Sequence, residues 1–369
     1  MSAPIFSLGC IVQPASSRQN NFDAIRLIAA LTVLVAHAWP LTGRAHPPTI
    51  AGIPIFTLAV YVFFAVSGYL IAVSWKNSRS TMGFLRRRFF RIFPALVLVV
   101  IVTTFVIGPI VTEFSTADYF ASPRSWNYLT NVTLFASYDL PGVFLDHPKT
   151  AVNGSLWTLG LEFMCYLGIL AVGLAVRLVS PSLRKHAPTL IIALITIALA
   201  LLALRSPHNS AAATSAAAMT FFAIGAAISH AAPNRPLPFG PLIVLVPGWL
   251  LLSDLFPNAA LLLAWLVLPY TVLTLGLRST PGIRRAGRCG DFSYGIYLWG
   301  FPVQQVFVGL APNAPLWFHI ASVAVVAGAI AVVSWHLVER RALDYARKDR
   351  RVRTTSAVDG QQPVIATPR

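Results

Sequence analysis

Charge is scarce in this chain. Only 11% of its 369 residues are Asp, Glu, Lys or Arg, against about a quarter in a soluble globular protein, which excludes an ordinary cytosolic enzyme. Acid is scarcer still, with 12 Asp and Glu against 28 Lys and Arg, for a formal charge of +16. Such an excess can mark nucleic-acid binding. Its distribution along the chain, set out below, assigns it to one side of a membrane instead, and no nucleic-acid partner is expected. The three cysteines, Cys10, Cys165 and Cys289, are scattered, with no C-x-x-C pair and no metal-ligand spacing. They are read as unpaired thiols, and neither a disulfide framework nor a metal site is expected. Met1 to Gln13 lacks the leading Lys or Arg of a secretory signal, and Pro14 interrupts it, so no cleaved signal is expected. No internal repeat is evident.

Long apolar runs are abundant, at 56% hydrophobic residues. A bilayer is crossed by roughly 20 apolar residues, with a working range of about 17–25. Ten segments qualify: 24–41, 54–74, 89–111, 155–179, 188–204, 211–231, 240–256, 259–277, 292–310 and 316–338. The weakest is 240–256, with Pro247-Gly248 at its middle. The expected fold is an all-α polytopic membrane protein of about ten transmembrane helices.

Charge sets the orientation. With the N-terminus inside, 23 Lys and Arg fall in cytoplasmic segments and four (Arg44, Arg124, Lys149, Arg205) fall outside; Arg26, within the first span, completes the 28. An asymmetry that survives every alternation is strong positive-inside evidence, so both termini are expected in the cytoplasm. Three parts follow: an N-terminal segment, 1–20; a transmembrane domain, 21–345, with an outside loop at 112–154; and a basic, disordered tail, 346–369, suited to orientation and anionic-lipid contact. The loop carries aromatics (Tyr119, Trp126, Tyr128, Tyr138) and acids (Glu113, Asp118, Asp139, Asp146). Loops of that length are usually functional or contain short helices.

Three polar constellations stand out against this background. In the first span, Asp23 is a candidate helix cap. Arg26 and His37, eleven residues apart, return to within about 20° of one face and stand about 16 Å apart along the axis. Arg26 alone reads equally as an interfacial anchor, whereas a histidine inside a span is a functional candidate by default. At the start of the third, Arg88 and Arg91 share a helix face, and two guanidiniums so placed suit bidentate phosphate binding. In the fourth, Asn153-Gly154-Ser155-Leu156-Trp157 leads to Glu162, the one carboxylate well inside a predicted span, and on to Tyr166. A buried carboxylate must pair or protonate, and its depth puts it within reach of His37. Trp157 alone reads as an interface aromatic.

These stretches resemble the bacterial acyltransferase-3 family of integral membrane proteins. The matching pieces are Phe22-Asp23-x-x-Arg26 with ten residues to His37, Phe63-Phe64-Ala65-Val66-Ser67-Gly68-Tyr69-Leu70, Arg88-x-x-Arg91-Ile92-x-Pro94, and Ser155-Leu156-Trp157-x-Leu159-x-x-Glu162. Gly290-Asp291-Phe292-Ser293-Tyr294-Gly295-Ile296-Tyr297-Leu298 and Glu339 complete the series. The likeness runs in order from about residue 20 to 345. Two positions depart from it: Gly300 stands where many relatives have a histidine, and Arg341 stands where proline is frequent. Glu339 is accordingly read as a helix-end anchor. The extracytoplasmic hydrolase-like domain that some relatives carry after the last span is not expected here.

The resemblance implies an acyltransferase of the bacterial cytoplasmic membrane. It would move an acyl group, commonly acetyl from acetyl-CoA, to a hydroxyl of a surface polysaccharide or lipid-linked glycan. Acyl-CoA would be a co-substrate, with no bound cofactor. Arg26, Arg88 and Arg91 would hold it from the cytoplasm. His37 would act as general base or as a transient acyl carrier, and Glu162 would orient it or stabilise its imidazolium. Asn153, Trp157, Tyr166, Ser67 and Tyr69 are the expected substrate-binding positions. A transporter or flippase of a lipid-linked sugar is the alternative, although the repeats common in such proteins are not evident.

Overall fold

The computed structural model describes residues 20–207, 210–232 and 236–346. The expectations for Cys10, for the N-terminal segment before residue 20 and for the tail from Arg347 lie outside these residues.

Ten long helices coincide with the ten apolar segments. They are α1 (Phe22–Leu41), α2 (Ile55–Lys76), α3 (Thr81–Val102, carried on through a π-turn at Thr103–Ile107 to Val111), α4 (Trp157–Leu178) and α5 (Ala187–Arg205), followed by α6 (Ala211–Ala231), α7 (Leu242–Leu255), α8 (Ala260–Gly276), α9 (Ser293–Leu310) and α10 (Leu316–Ser334, continued by a π-turn at Trp335–Glu339). Eight of these ten are long and apolar enough to cross a membrane alone. The other two are α7 and α9. Helix α7 has 14 residues, with Pro247 inside, and spans only about 21 Å. Helix α9 carries Tyr294, Tyr297, Gln304 and Gln305, and most of its length is buried by neighbouring helices. The protein is an all-α polytopic membrane protein. Among the described residues the only sheet is a two-stranded hairpin, Thr49–Ile50 with Ile53–Pro54. Its turn residues, Ala51 and Gly52, both have positive φ, as a tight hairpin turn requires.

Packing follows from small residues. Lipid tails are as apolar as leucine, so helices associate where small side chains let backbones approach. Helix α6 is rich in alanine and packs along α2, while α1 sits between α2 and α9, and α9 packs on α10. At the α2–α6 contact a Cβ on Gly68 would stand 1.9 Å from the Phe222 carbonyl oxygen, and one on Gly225 would stand 2.1 Å from that of Ala65. Gly68 is therefore required by packing, within the stretch Phe63–Leu70. Gly68→Leu is expected to force the two helices apart at a cost of roughly 1–3 kcal/mol or more. A lower melting temperature of detergent-purified protein would register it; unchanged melting would refute the contact.

The 112–154 loop is docked onto the helices. Tyr119 is buried, and its hydroxyl donates to the Thr104 carbonyl in α3 (2.9 Å), while Ser125 Oγ donates to the Tyr119 carbonyl (2.5 Å). Burial pushes the Tyr119 phenol up to about 12, so it stays a neutral donor at physiological pH. Two short helices, Thr116–Ala121 and Pro123–Asn127, begin at Ser115 and Ser122, whose hydroxyls accept the first free amides.

One smaller expectation is corrected. Helix α1 begins at Phe22 with Asn21 at its cap position, so Asp23 lies in the first turn. Cys165 is a free, buried thiol, as expected.

Candidate active site

Five helices bring the polar residues together from opposite ends of the chain. At the end of the bundle where the charge count puts the cytoplasm, Arg26 on α1 and Arg91 on α3 converge on Asp291, just before α9. Their guanidinium nitrogens donate to Asp291 Oδ2 at 2.6 Å and 2.7 Å. Ser293 Oγ donates to the other carboxylate oxygen at 2.5 Å. The Arg91 guanidinium also lies over the Tyr294 ring, 5.5 Å from its centre. All three charged side chains are mostly removed from solvent, and charges so placed persist only when paired and hydrogen-bonded.

Arg88, one turn earlier on α3, takes a different partner. Its guanidinium lies 5.9 Å from the centre of the Tyr166 ring, and its Nε is buried with no hydrogen-bond partner among the described residues. The shared face of Arg88 and Arg91 therefore splits, with one arginine in the Asp291 triad and the other against α4. Tyr166 donates a short hydrogen bond to Glu162 Oε1, which also accepts from Ser67 Oγ at 3.1 Å. Glu162 thus joins α2 to α4.

His37 stands apart from that carboxylate. Its Nδ1 lies 2.8 Å from the Val33 carbonyl oxygen, one turn back on its own helix. A carbonyl only accepts, so Nδ1 carries a proton, and in the neutral ring Nε2 is the unprotonated nitrogen. Phe56 and Phe301 flank the ring, with centres at 4.8 Å and 5.8 Å. The imidazole borders a narrow cavity shared with Ser155, Tyr297, Gly300 and Gln304. The expected contact between Glu162 and His37 is absent among the described residues; Glu162 is engaged by Tyr166 and Ser67 instead.

The remaining expected positions are distributed as follows. Asn153 is fully buried; its Oδ1 accepts from the Ser155 amide (3.1 Å) and hydroxyl (2.6 Å), and its Nδ2 donates to the Leu298 carbonyl (3.1 Å). It ties the start of α4 to α9. Trp157 is half-buried at the first turn of α4. Tyr69 is buried with its ring 5.9 Å from that of Phe22. Gly300 lies in the wall of the His37 cavity, where a Cβ would be in ordinary contact with Leu34 at 3.4 Å. Glu339, expected as a helix-end anchor, closes the π-turn at Trp335–Glu339 and is buried there, with Ser334 Oγ donating to Oε1 at 3.1 Å.

Sequence reasoning missed two participants. Asp291 lies one residue before the segment read as a span, so a search for carboxylates inside spans passed over it. A carboxylate flanking a helix start was the available signal. Gln304 is buried in α9; its Nε2 donates to the Leu34 carbonyl at 3.0 Å, while its Oε1, beside the His37 cavity, has no partner among the described residues. Glutamine in an apolar helix was its only sequence mark.

The membrane-crossing helices thus enclose arginines, two carboxylates and a cavity-lining histidine. The chain belongs to the acyltransferase-3 family: the model of that family's acyltransferase domain matches residues 19–336. It is similar to an O-acetyl transferase of Shigella phage Sf6, at 31% identity over 348 residues, covering 88% of this chain and 96% of that protein. Partial likenesses extend to Nodulation protein 10 of Rhizobium leguminosarum bv. viciae (31% over 169 residues, 42% of this chain and 44% of that protein). The peptidoglycan O-acetyltransferase OatA of Listeria monocytogenes is 28% identical over 163 residues, 40% of this chain and 23% of that protein. No solved structure matches. The protein is a multi-pass membrane acyltransferase.

Proposed function

We propose that the protein is an O-acetyltransferase of the bacterial cytoplasmic membrane. It takes acetyl from cytoplasmic acetyl-CoA and passes it to a hydroxyl of an extracytoplasmic or lipid-linked carbohydrate. The observation that carries this reading is the His37 imidazole, whose unprotonated Nε2 is left for the cavity while a backbone carbonyl holds Nδ1. A neutral, oriented imidazole is what a general base requires.

In this reading the donor's phosphates meet the arginine-bearing end of the bundle, where Arg88 has an unpartnered Nε. Arg26 and Arg91 supply further positive charge, partly neutralised by Asp291. The acyl thioester is carried along α1 toward His37. Nε2 accepts the proton of the acceptor hydroxyl as its oxygen forms a bond to the thioester carbonyl carbon. The carbon–sulfur bond then breaks, and the CoA thiolate takes the proton back from the imidazolium. In the two-step variant Nε2 itself attacks the thioester carbonyl carbon and expels the CoA thiolate; the acceptor hydroxyl oxygen then bonds to the acyl carbon, the carbon–nitrogen bond breaks, and the hydroxyl proton passes to the thiolate. Gln304 Oε1, unpartnered beside the cavity, is a ready hydrogen-bond acceptor for a second hydroxyl of the incoming sugar. Glu162 acts through Tyr166 and Ser67, shaping the wall against which Arg88 lies.

The direct test is transfer of labelled acetyl from acetyl-CoA by detergent-purified protein, with mass spectrometry of surface polysaccharide from cells with and without the gene. Unchanged acetylation of the polysaccharide would overturn the acceptor assignment. Arg88→Ala is expected to raise the KM for acetyl-CoA about tenfold or more, in keeping with loss of a charged hydrogen-bonding group. Arg88→Lys should recover only part of this, because an ammonium lacks the planar fork. An unchanged donor KM in both variants would place the donor's phosphates elsewhere.

A further inference from the structure

The outside loop holds a second cavity, separate from the His37 cavity. It is a cleft of about 510 Å³ lined by Phe114, Ser122, Arg124, Asp139, Leu145 and Thr150, among others, a volume typical of small-ligand sites, which run from about 300 to 1,000 Å³. Its walls are built by the fold. The Glu113 amide donates to the Gly142 carbonyl (2.9 Å), Thr112 Oγ1 donates to the Pro141 carbonyl (2.7 Å), and Thr112 pairs with Val143 in an isolated bridge. Gly142 adopts φ +67°, and a Cβ there would stand 2.6 Å from Thr112 Oγ1, so glycine is what lets the two sides close.

Two opposite charges face this cleft. The Arg124 guanidinium and the Asp139 carboxylate are exposed, and neither has an ion pair or side-chain hydrogen bond among the described residues. Oppositely charged groups that share a cleft without pairing leave it close to neutral overall while keeping strong donors on one side and strong acceptors on the other. An anionic ligand meets Asp139 and a cationic one meets Arg124. A neutral ring bearing several hydroxyls satisfies both, with hydroxyl hydrogens donated to the carboxylate and hydroxyl oxygens accepting from the guanidinium. Ser122 and Thr150 add hydroxyls to the lining, and Phe114, 47% exposed, offers an aromatic face of the kind that packs on a sugar ring.

We infer that this cleft is a binding site for an uncharged sugar unit of the acceptor glycan, with Arg124, Asp139 and Phe114 as its contacts. The inference rests on the carbohydrate acceptor proposed above and on the charge count that puts residues 112–154 outside. It deepens that reading by giving the acceptor a place of its own, on the loop, and a charge preference. The reacting hydroxyl belongs to the His37 cavity, so the cleft holds a neighbouring part of the same chain of sugars.

The test is saturation-transfer NMR on the full-length protein in detergent. The probes are methyl β-D-glucopyranoside and methyl α-L-rhamnopyranoside, with methyl β-D-glucuronide as the charged comparator. Wild type is expected to transfer saturation to the neutral glycosides and more weakly to the glucuronide. Arg124→Ala/Asp139→Asn is expected to weaken binding of the neutral glycosides tenfold or more. Phe114→Leu, which keeps apolar bulk and removes the ring, should lower the signal of the ring-face protons. These side chains are exposed, so all variants should melt with wild type. Undiminished binding in the double variant, preference for the glucuronide, or no binding of either neutral glycoside by wild type would overturn the inference. Acetyl-CoA turnover measured on the same preparation separates the two proposals. Sugar binding without any turnover would count against acetyl transfer and leave the cleft standing, whereas turnover without sugar binding would do the reverse.

Discussion

His37→Gln is expected to lower acetyl transfer by roughly 100- to 10,000-fold, the range spanned by a positioned general acid–base, while leaving membrane insertion and acetyl-CoA binding close to wild type. Glutamine approximates the size of the imidazole and keeps a hydrogen bond to the Val33 carbonyl within reach, but it has neither basicity nor nucleophilicity. The flanking Phe56 and Phe301 rings would still close around it. Loss of activity could then be assigned to the missing nitrogen and not to a collapsed cavity. The measurement is acetyl transfer at matched membrane expression. Near-normal transfer by His37→Gln would exclude both the base and the acyl-histidine route. Glu162→Gln provides the contrast. Its hydrogen bonds go to Ser67 and Tyr166, so it should cost less than His37→Gln and act mainly on the donor KM through the wall beside Arg88.

The second large effect is expected at Asp291. Removing this carboxylate leaves Arg26 and Arg91 facing each other with their shared partner gone, and breaking a buried ion pair from one side costs about 3–5 kcal/mol. Asp291→Ala should therefore lower the melting temperature markedly, or yield protein that does not survive extraction as a single species. Asp291→Asn keeps the shape and loses the charge, and should fall between. The triple variant Arg26→Met/Arg91→Met/Asp291→Leu separates stability from function, because replacing a whole buried ionic group by apolar side chains is often neutral for stability. If Arg26 and Arg91 also hold donor phosphates, the triple variant should melt near wild type and still fail to bind acetyl-CoA. Normal donor binding in a stable triple variant would confine the triad to a structural role.

The two kinds of information in the chain differ in range. The helices were legible because the signal for each is local: a run of apolar residues must cover its own backbone polar groups in lipid, and ten such runs became ten helices. The Arg26–His37 relation was legible for the same reason, since both lie on one helix whose geometry is known in advance. So, in principle, was the imidazole's orientation, because its partner is Val33, one turn away. The 112–154 loop was recognisable by length and composition, but not the fact that it folds onto itself around Gly142.

What sequence periodicity leaves open is which faces of different helices meet. Arg91 shares a face with Arg88 by spacing alone, yet its partner lies 200 positions away at Asp291, and that of Arg26 lies 265 away. Glu162 had the depth to reach His37, but the α2–α4 contact turned it to Ser67 and its own helix turned it to Tyr166. A buried charge takes whatever partner the packing delivers, and packing in a membrane is set by small residues such as Gly68 and Gly225, where two backbones approach. The apolar pattern and the charge asymmetry of the chain were enough to specify a multi-pass helical membrane protein and its expected orientation. The arginine triad, the open imidazole nitrogen and the outer cleft came only with the tertiary structure, because each depends on side chains brought together by contacts between elements that no local periodicity encodes.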